Sequence, residues 1–173
     1  MDPMVLAAMD KWPNVPAVFG WLRLDGRGRW WLKTARLEHA ATVAFFGRNY
    51  ARDGGGRYFV QNGPQRVYVA FDKAPYVVRR VADGWRLEPS DRVGCASHAW
   101  LTPDGELLLE IAGELVLVDD RDLLALTDEA LADWDGDLCA VPHVLRLAEG
   151  AVPLETATLP MLWQRFALAP RPA

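Results

Sequence analysis

The sequence predicts an α+β protein of antiparallel sheets with a few short helices, and three observations carry that reading. Two β-rich runs, Arg57 to Gln61 and Gln65 to Phe71, meet at Asn62-Gly63, the dipeptide that most readily supplies a tight hairpin turn. Between strand-like runs lies Ala40 to Tyr50, where Val43, Phe46 and Tyr50 recur at helical period. The order of two strands and a helix then recurs in the second half, so the fold reads as an internal duplication of a hairpin-helix unit.

The elements follow in order. Asp2 before Pro3 is a helix start, and the helix Met4 to Met9 must stop before Pro13 and Pro16. Val18 to Leu24 is a strand, Asp25-Gly26-Arg27-Gly28 a turn, Arg29 to Lys33 the return strand, and Arg36 to Glu38 a third piece. Alternation puts Trp30 and Trp31 on opposite faces of that sheet. Helix Ala40 to Tyr50 covers the sheet and ends before Gly54, Gly55 and Gly56. After the Asn62-Gly63 hairpin, Tyr76 to Val81 and Trp85 to Glu88 pair around Ala82-Asp83-Gly84.

Past the Pro89 to Cys95 connection, Trp100-Leu101 leads to the turn Asp104-Gly105, strand Glu106 to Ile111, turn Ala112-Gly113 and strand Glu114 to Val118. A helix then runs from an Asp119 or Asp120 cap to Leu131. This order matches Trp21-Leu22, Asp25-Gly26, two strands and a helix in the first half, which is the basis for the duplication. Val141 to Leu147, Val152 to Glu155 and a helix Pro160 to Phe166 close the pattern, and the proline-containing segment Ala169 to Ala173 is expected to fray.

Asp-Gly followed by Trp and a short helix, then Gly56-Arg57-Tyr58-Phe59-Val60, Arg66-Val67-Tyr68-Val69 and Ala74-Pro75-Tyr76-Val77, resembles bacterial proteins grouped as domain of unknown function 1285. The resemblance covers about a third of the chain, residues 25 to 81. It implies a small α+β protein built from repeated motifs, and it brings no activity and no functional residue with it.

Charge divides the chain. Residues 1 to 92 hold 15 Lys+Arg against 9 Asp+Glu, and residues 93 to 173 hold 4 against 14. This predicts a basic N-terminal lobe and an acidic C-terminal lobe, or one compact unit with two polar faces, meeting each other, other copies of the chain or separate partners. A net charge of −4 speaks against a nucleic-acid binder that works by neutralising phosphates. No basic leader or long apolar run marks export or membrane insertion, so a bacterial cytoplasmic protein is expected. In that reducing compartment Cys95 and Cys139 are read as free thiols.

Two chemistries compete. Cys95-x-x-His98 and Cys139-x-x-x-His143 supply four ligands at zinc-like spacing, or a thiol and an imidazole for a hydrolase-like enzyme. Yet no nucleophile elbow, phosphate loop or zinc-protease motif occurs, and Cys and His more often serve as structural residues. Asp133 to Asp137 alternates like a calcium loop but lacks its closing glutamate. The reading adopted is a non-enzymatic ligand- or protein-binding module, regulatory or signalling in kind, with no cofactor. Its candidate ligand-binding residues are Arg52, Arg57, Arg66 and Tyr68. The glycine loop leaves backbone N–H groups open and the arginine forks match a carboxylate or phosphate, so the expected partner is an anionic small molecule or an acidic protein surface.

Overall fold

The computed structural model describes residues 1–173 as two compact units, the first made of Met1–Pro75, Pro89–Asp91 and Ala167–Ala173 and the second of Tyr76–Glu88 and Arg92–Phe166. Together they hold four helices and two mixed sheets, an α+β fold. The units differ in charge: 12 Lys+Arg against 7 Asp+Glu in the first, 7 against 16 in the second, giving +5 and −9. No helix is long and apolar enough to cross a membrane.

In the first unit, α1 (Pro3–Lys11) precedes β1 (Val18–Leu24), β2 (Trp30–Leu32), β3 (Ala35–Arg36), α2 (Ala40–Arg48), β4 (Tyr50–Arg52), β5 (Tyr58–Asn62) and β6 (Gln65–Phe71). The six strands lie in the order β3-β2-β1-β6-β5-β4. β1 and β6 pair in parallel, which corrects the expected all-antiparallel sheet. The reason is topological: α2 carries the chain across the sheet before β4, and such a crossover can return the later hairpin parallel to the first strand.

The inner face of this sheet is aromatic and aliphatic. Leu22, Leu24, Trp30, Tyr58, Val60, Val69 and Phe71 are buried on it. Phe46 of α2 meets the Trp30 ring edge-on at 5.2 Å, and Tyr50 does so at 5.6 Å. Trp30 and Trp31 do point to opposite faces: Trp30 is 1% exposed, while Trp31 is half-buried on the outer face. The α2 boundary differs from the expected one, because Asn49 caps the helix and Tyr50 already belongs to a strand. Val43 and Phe46 are half-buried.

The hairpin forms one position later than expected. Asn62 pairs with Gln65, so the two loop residues are Gly63 and Pro64, with Gly63 at φ 56. A glycine at positive φ followed by a proline at its fixed negative φ is the pattern of a type II′ turn, which matches strand twist.

In the second unit, β7 (Tyr76–Val81), β8 (Gly84–Glu88), β9 (Arg92–Gly94), β10 (Ala96–Leu101), β11 (Leu107–Ile111), β12 (Glu114–Val118), α3 (Asp120–Ala130), β13 (Val144–Leu147), β14 (Gly150–Thr156) and α4 (Leu159–Arg165) follow. The eight strands lie in the order β13-β14-β10-β11-β12-β7-β8-β9. The hairpin β7–β8, placed by sequence in the basic lobe of residues 1 to 92, pairs into this sheet through β7 alongside β12. β9 lies inside a stretch read as a plain connection. Asp119 caps α3 from a fully buried position, accepting from the Arg121 backbone at 2.9 Å and the Arg121 Nε at 2.8 Å. Burial pushes its carboxyl up, but the Arg121 hydrogen bonds and the charges of Arg121 and Arg79 outweigh that and leave it at about 2.

The segment expected to fray is docked instead. Within the first unit Ala169 N–H donates to Gly56 O at 3.0 Å and Phe71 N–H to Pro170 O at 3.1 Å. Backbone donors of a buried strand need partners, and the proline there offers a carbonyl without requiring an acceptor in return.

Candidate functional site

One turn design recurs around the sheet ends. In Asp25–Arg29 and Asp53–Arg57 the first residue's N–H donates to the fifth residue's carbonyl (3.0 and 2.9 Å), and the glycine N–H at the fourth position donates back (2.9 and 3.1 Å). The aspartate then gathers the remaining donors. Asp25 accepts from the N–H groups of Arg27 and Arg29 on one oxygen, and from Arg29 Nε (2.8 Å) and Trp31 Nε1 (2.9 Å) on the other. Asp53 accepts from the N–H groups of Gly55 and Arg57, and from Arg57 Nε (2.8 Å) and the Tyr68 hydroxyl (3.0 Å).

Burial raises the Asp53 carboxyl, yet these donors outweigh it and hold it at about 2. Burial likewise raises Asp25, and the Trp31, Arg29 and Arg27 donors bring it below the ordinary carboxylate range. In the second unit Thr102 takes the aspartate's place, its hydroxyl accepting from Glu106 N–H at 3.1 Å.

This geometry decides what the glycine loop offers. Its N–H groups point inward to Asp53, so an internal carboxylate holds the position proposed for an external anion. Gly56, at φ 75, leaves no outer space either: a Cβ there would lie 1.8 Å from Ala167 O. The structure brings Arg57 and Tyr68 together at Asp53, with the Arg57 guanidinium 4.8 Å from the Tyr68 ring. It turns Arg52 toward the Ala167 carbonyl at 3.0 Å. Arg66 is exposed, lies 4.7 Å over the Phe59 ring and has no carboxylate partner.

Arg57, Arg66 and Tyr68 form part of an outer sheet face of aromatic rings and cations, whereas Arg52, opposite Tyr58, does not. Phe19 stacks on Tyr68 at 4.6 Å with planes 5° apart. Arg23 lies 5.0 Å over Trp31 and pairs with Asp72. Further along is a groove of 280 Å³ lined by Gly20, Trp21, Arg23, Lys33, Ala70 and Arg171, with Leu22 and Pro172 completing it. The Lys33 ammonium sits 4.0 Å from the Trp21 ring centroid, and neither Lys33 nor Arg171 makes an ion pair. No carboxylate lines the groove.

The backbone there is unusual. β1 and β6 slip register between Val18/Val67 and Leu22/Val69, so three residues of β1 oppose one of β6, with Gly20 at φ 71. Such bulges re-aim side chains, and Trp21 is left 48% exposed. Lys33 is held at φ 54 with its N–H donated to Trp21 O at 2.8 Å, a conformation costly for a residue with a side chain. Sequence reasoning missed this groove. Its one legible signal was Gly20, an isolated glycine inside a strand pattern, which marks bulges.

The competing constellation is not assembled. No three His, Cys, Asp or Glu side chains converge as metal ligands. Cys95 and Cys139 are free and exposed. His98 stacks on Trp100 at 4.5 Å and lies 3.4 Å from Glu155, whereas His143 lines a 560 Å³ cavity with Trp134 and Arg146. The acidic run 133–137 is a tight turn in which Asp135 accepts from Asp137 N–H and Asp137 from Cys139 N–H.

Two solved structures are similar to this chain, and the first of them shares its fold. A DUF1285 family protein from Silicibacter pomeroyi DSS-3 matches with a TM-score of 0.55 at 17% identity, covering 94% of this chain and 98% of that one. A second from Shewanella baltica OS155 matches with a TM-score of 0.48 at 15% identity, over 64% of this chain and 92% of that one. The resemblance drawn from residues 25 to 81 thus extends, as fold, over most of the chain. Among curated proteins none matches the chain. A family model described as protein of unknown function (DUF2946) matches residues 1–173, and the chain belongs to that family.

Proposed function

We propose that the chain is a non-enzymatic, cytoplasmic binding module that takes a small anion in the groove between Trp21, Arg23, Lys33 and Arg171. The observation that carries this reading is the groove's composition: cations converge on it, two of them without an ion pair, and no carboxylate faces it. Unpaired cations beside an aromatic wall lose little on meeting an anion and gain charge-assisted hydrogen bonds. Arg52, Arg57 and Tyr68 serve the face by rigidifying its far end through Asp53 and Ala167, and Arg66 extends its positive field.

An internal duplication supports the same assignment. The order β3-β2-β1-β6-β5 in the first unit parallels β12-β11-β10-β14-β13 in the second, and in each a helix follows the third of these strands in sequence. Under this alignment Arg23 beside Ala70 corresponds to Trp100 beside Glu155. Glu155 accepts from Trp100 Nε1 at 3.2 Å and from Arg165 at 3.4 Å. The second unit therefore carries its own carboxylate where the first has a methyl group and an open groove.

The test is calorimetric titration of inorganic phosphate and of acetate at low ionic strength. Binding weakened at least tenfold in Lys33→Ala/Arg171→Ala, and by added salt, is the expected result. Absence of binding, or binding that the double variant leaves unchanged, overturns the proposal.

A further inference from the structure

Beside the cationic groove lies a second cavity, also of 280 Å³, on the apolar side of the same strand. Val18, Leu32, Phe46, Val60 and Val67 form most of its wall, with Asn62 and Gln65 its only polar lining side chains. Trp21 and Leu22 line both cavities. The β1 bulge is what makes this arrangement: where the strand leaves its register with β6, Trp21 stands between an apolar cavity and a cluster of cations. Leu32, 42% exposed, and half-buried Phe46 border the apolar cavity without closing it.

We infer that the ligand is an amphiphilic anion, an alkyl or aryl-alkyl carboxylate whose head lies at Lys33 and Arg171 and whose apolar tail runs along Trp21 into the cavity of Leu32, Phe46 and Val67. The inference rests on the anion-binding reading above and specifies its ligand. Each cavity alone falls just under the usual range for small-molecule sites, and the two together reach it. Lys33 explains the join: its ammonium rests on the Trp21 ring, so a head group held there starts its tail on an apolar surface. The left-handed backbone at Lys33, tied to Trp21 O, fixes that relation between cation and ring.

The experiment titrates acetate, hexanoate, octanoate and 1-octanol into the intact protein by calorimetry. Affinity is expected to rise about fourfold per added methylene until the cavity is filled. Leu32→Gln should weaken octanoate at least tenfold and leave acetate nearly unchanged, while Lys33→Ala/Arg171→Ala weakens both. Octanoate binding no tighter than acetate, with both lost in the double cation variant, overturns the amphiphile and leaves the anion site standing. 1-Octanol binding as tightly as octanoate overturns both, as does absence of binding by any of the four. A circular dichroism spectrum matching the wild type shows that each variant is folded, and Leu32→Ser provides a second tail variant should Leu32→Gln fail to fold.

Discussion

Asp53→Asn isolates the carboxylate that closes the glycine loop. The amide can still accept from the Gly55 and Arg57 N–H groups, but its NH₂ faces Arg57 Nε and the Tyr68 hydroxyl, and the charge opposite the guanidinium is gone. The wild-type carboxyl sits at about 2 in the fold against 3.8 for the ordinary group, and its side chain is only 10% exposed. A depressed carboxylate stabilises the folded state fully above its unfolded value, and the contribution is lost as pH falls through the folded one. By linkage the charge contributes about 2 kcal/mol at pH 7 and about 1 kcal/mol at pH 3. Urea denaturation of wild type and variant, read as a difference at each pH, measures it. A difference below about 0.5 kcal/mol at pH 7, or one that does not shrink on acidification, refutes the assignment of Asp53 as the loop's internal anion.

Gly56→Ala should cost at least about 2 kcal/mol, because the residue needs positive φ and its Cβ would strike the Ala167 carbonyl. Gly54→Ala, which meets nothing within 4 Å, should stay within about 1 kcal/mol in the same denaturation assay. Phe46→Ala should cost about 2 kcal/mol rather than the 3–5 typical of a fully buried ring, since Phe46 borders an open cavity; a loss above about 4 kcal/mol would mean that cavity is closed in solution. Arg66→Glu should change stability by less than about 1 kcal/mol, the worth of an exposed cation over Phe59. A drop of about 2 kcal/mol or more would reveal a carboxylate partner for Arg66.

The strands were legible in sequence because their alternation and turn residues are local. Val18 to Leu24, Gln65 to Phe71 and Glu114 to Val118 form with the ends their patterns predict. The opposed faces of Trp30 and Trp31 follow from the two-residue period alone. What the pattern could not convey was pairing between distant segments: the parallel alignment of β1 with β6, and the membership of β7 and β8 in the second sheet. The candidate site was only partly legible for the same reason. Arg57 and Tyr68 do meet, but at Asp53, a residue whose role depends on the turn's hydrogen bonds. Lys33 and Arg171 are far apart in sequence, and no local pattern joins them to Trp21.

The docking of Ala169 and Pro170 onto Gly56 and Phe71 bears on how the chain acquires its structure. The six-stranded sheet has all its strands by residue 71, yet its Phe71 donor waits for a carbonyl about a hundred residues downstream, with all of the other unit's residues between. During synthesis the first unit must therefore persist incomplete while the second is made. Closing so long a loop slows the final step and adds an entropic cost that grows only slowly with length. In that interval the Gly56 carbonyl and the Phe71 N–H are open to water, chaperones or the strand of a neighbouring nascent chain.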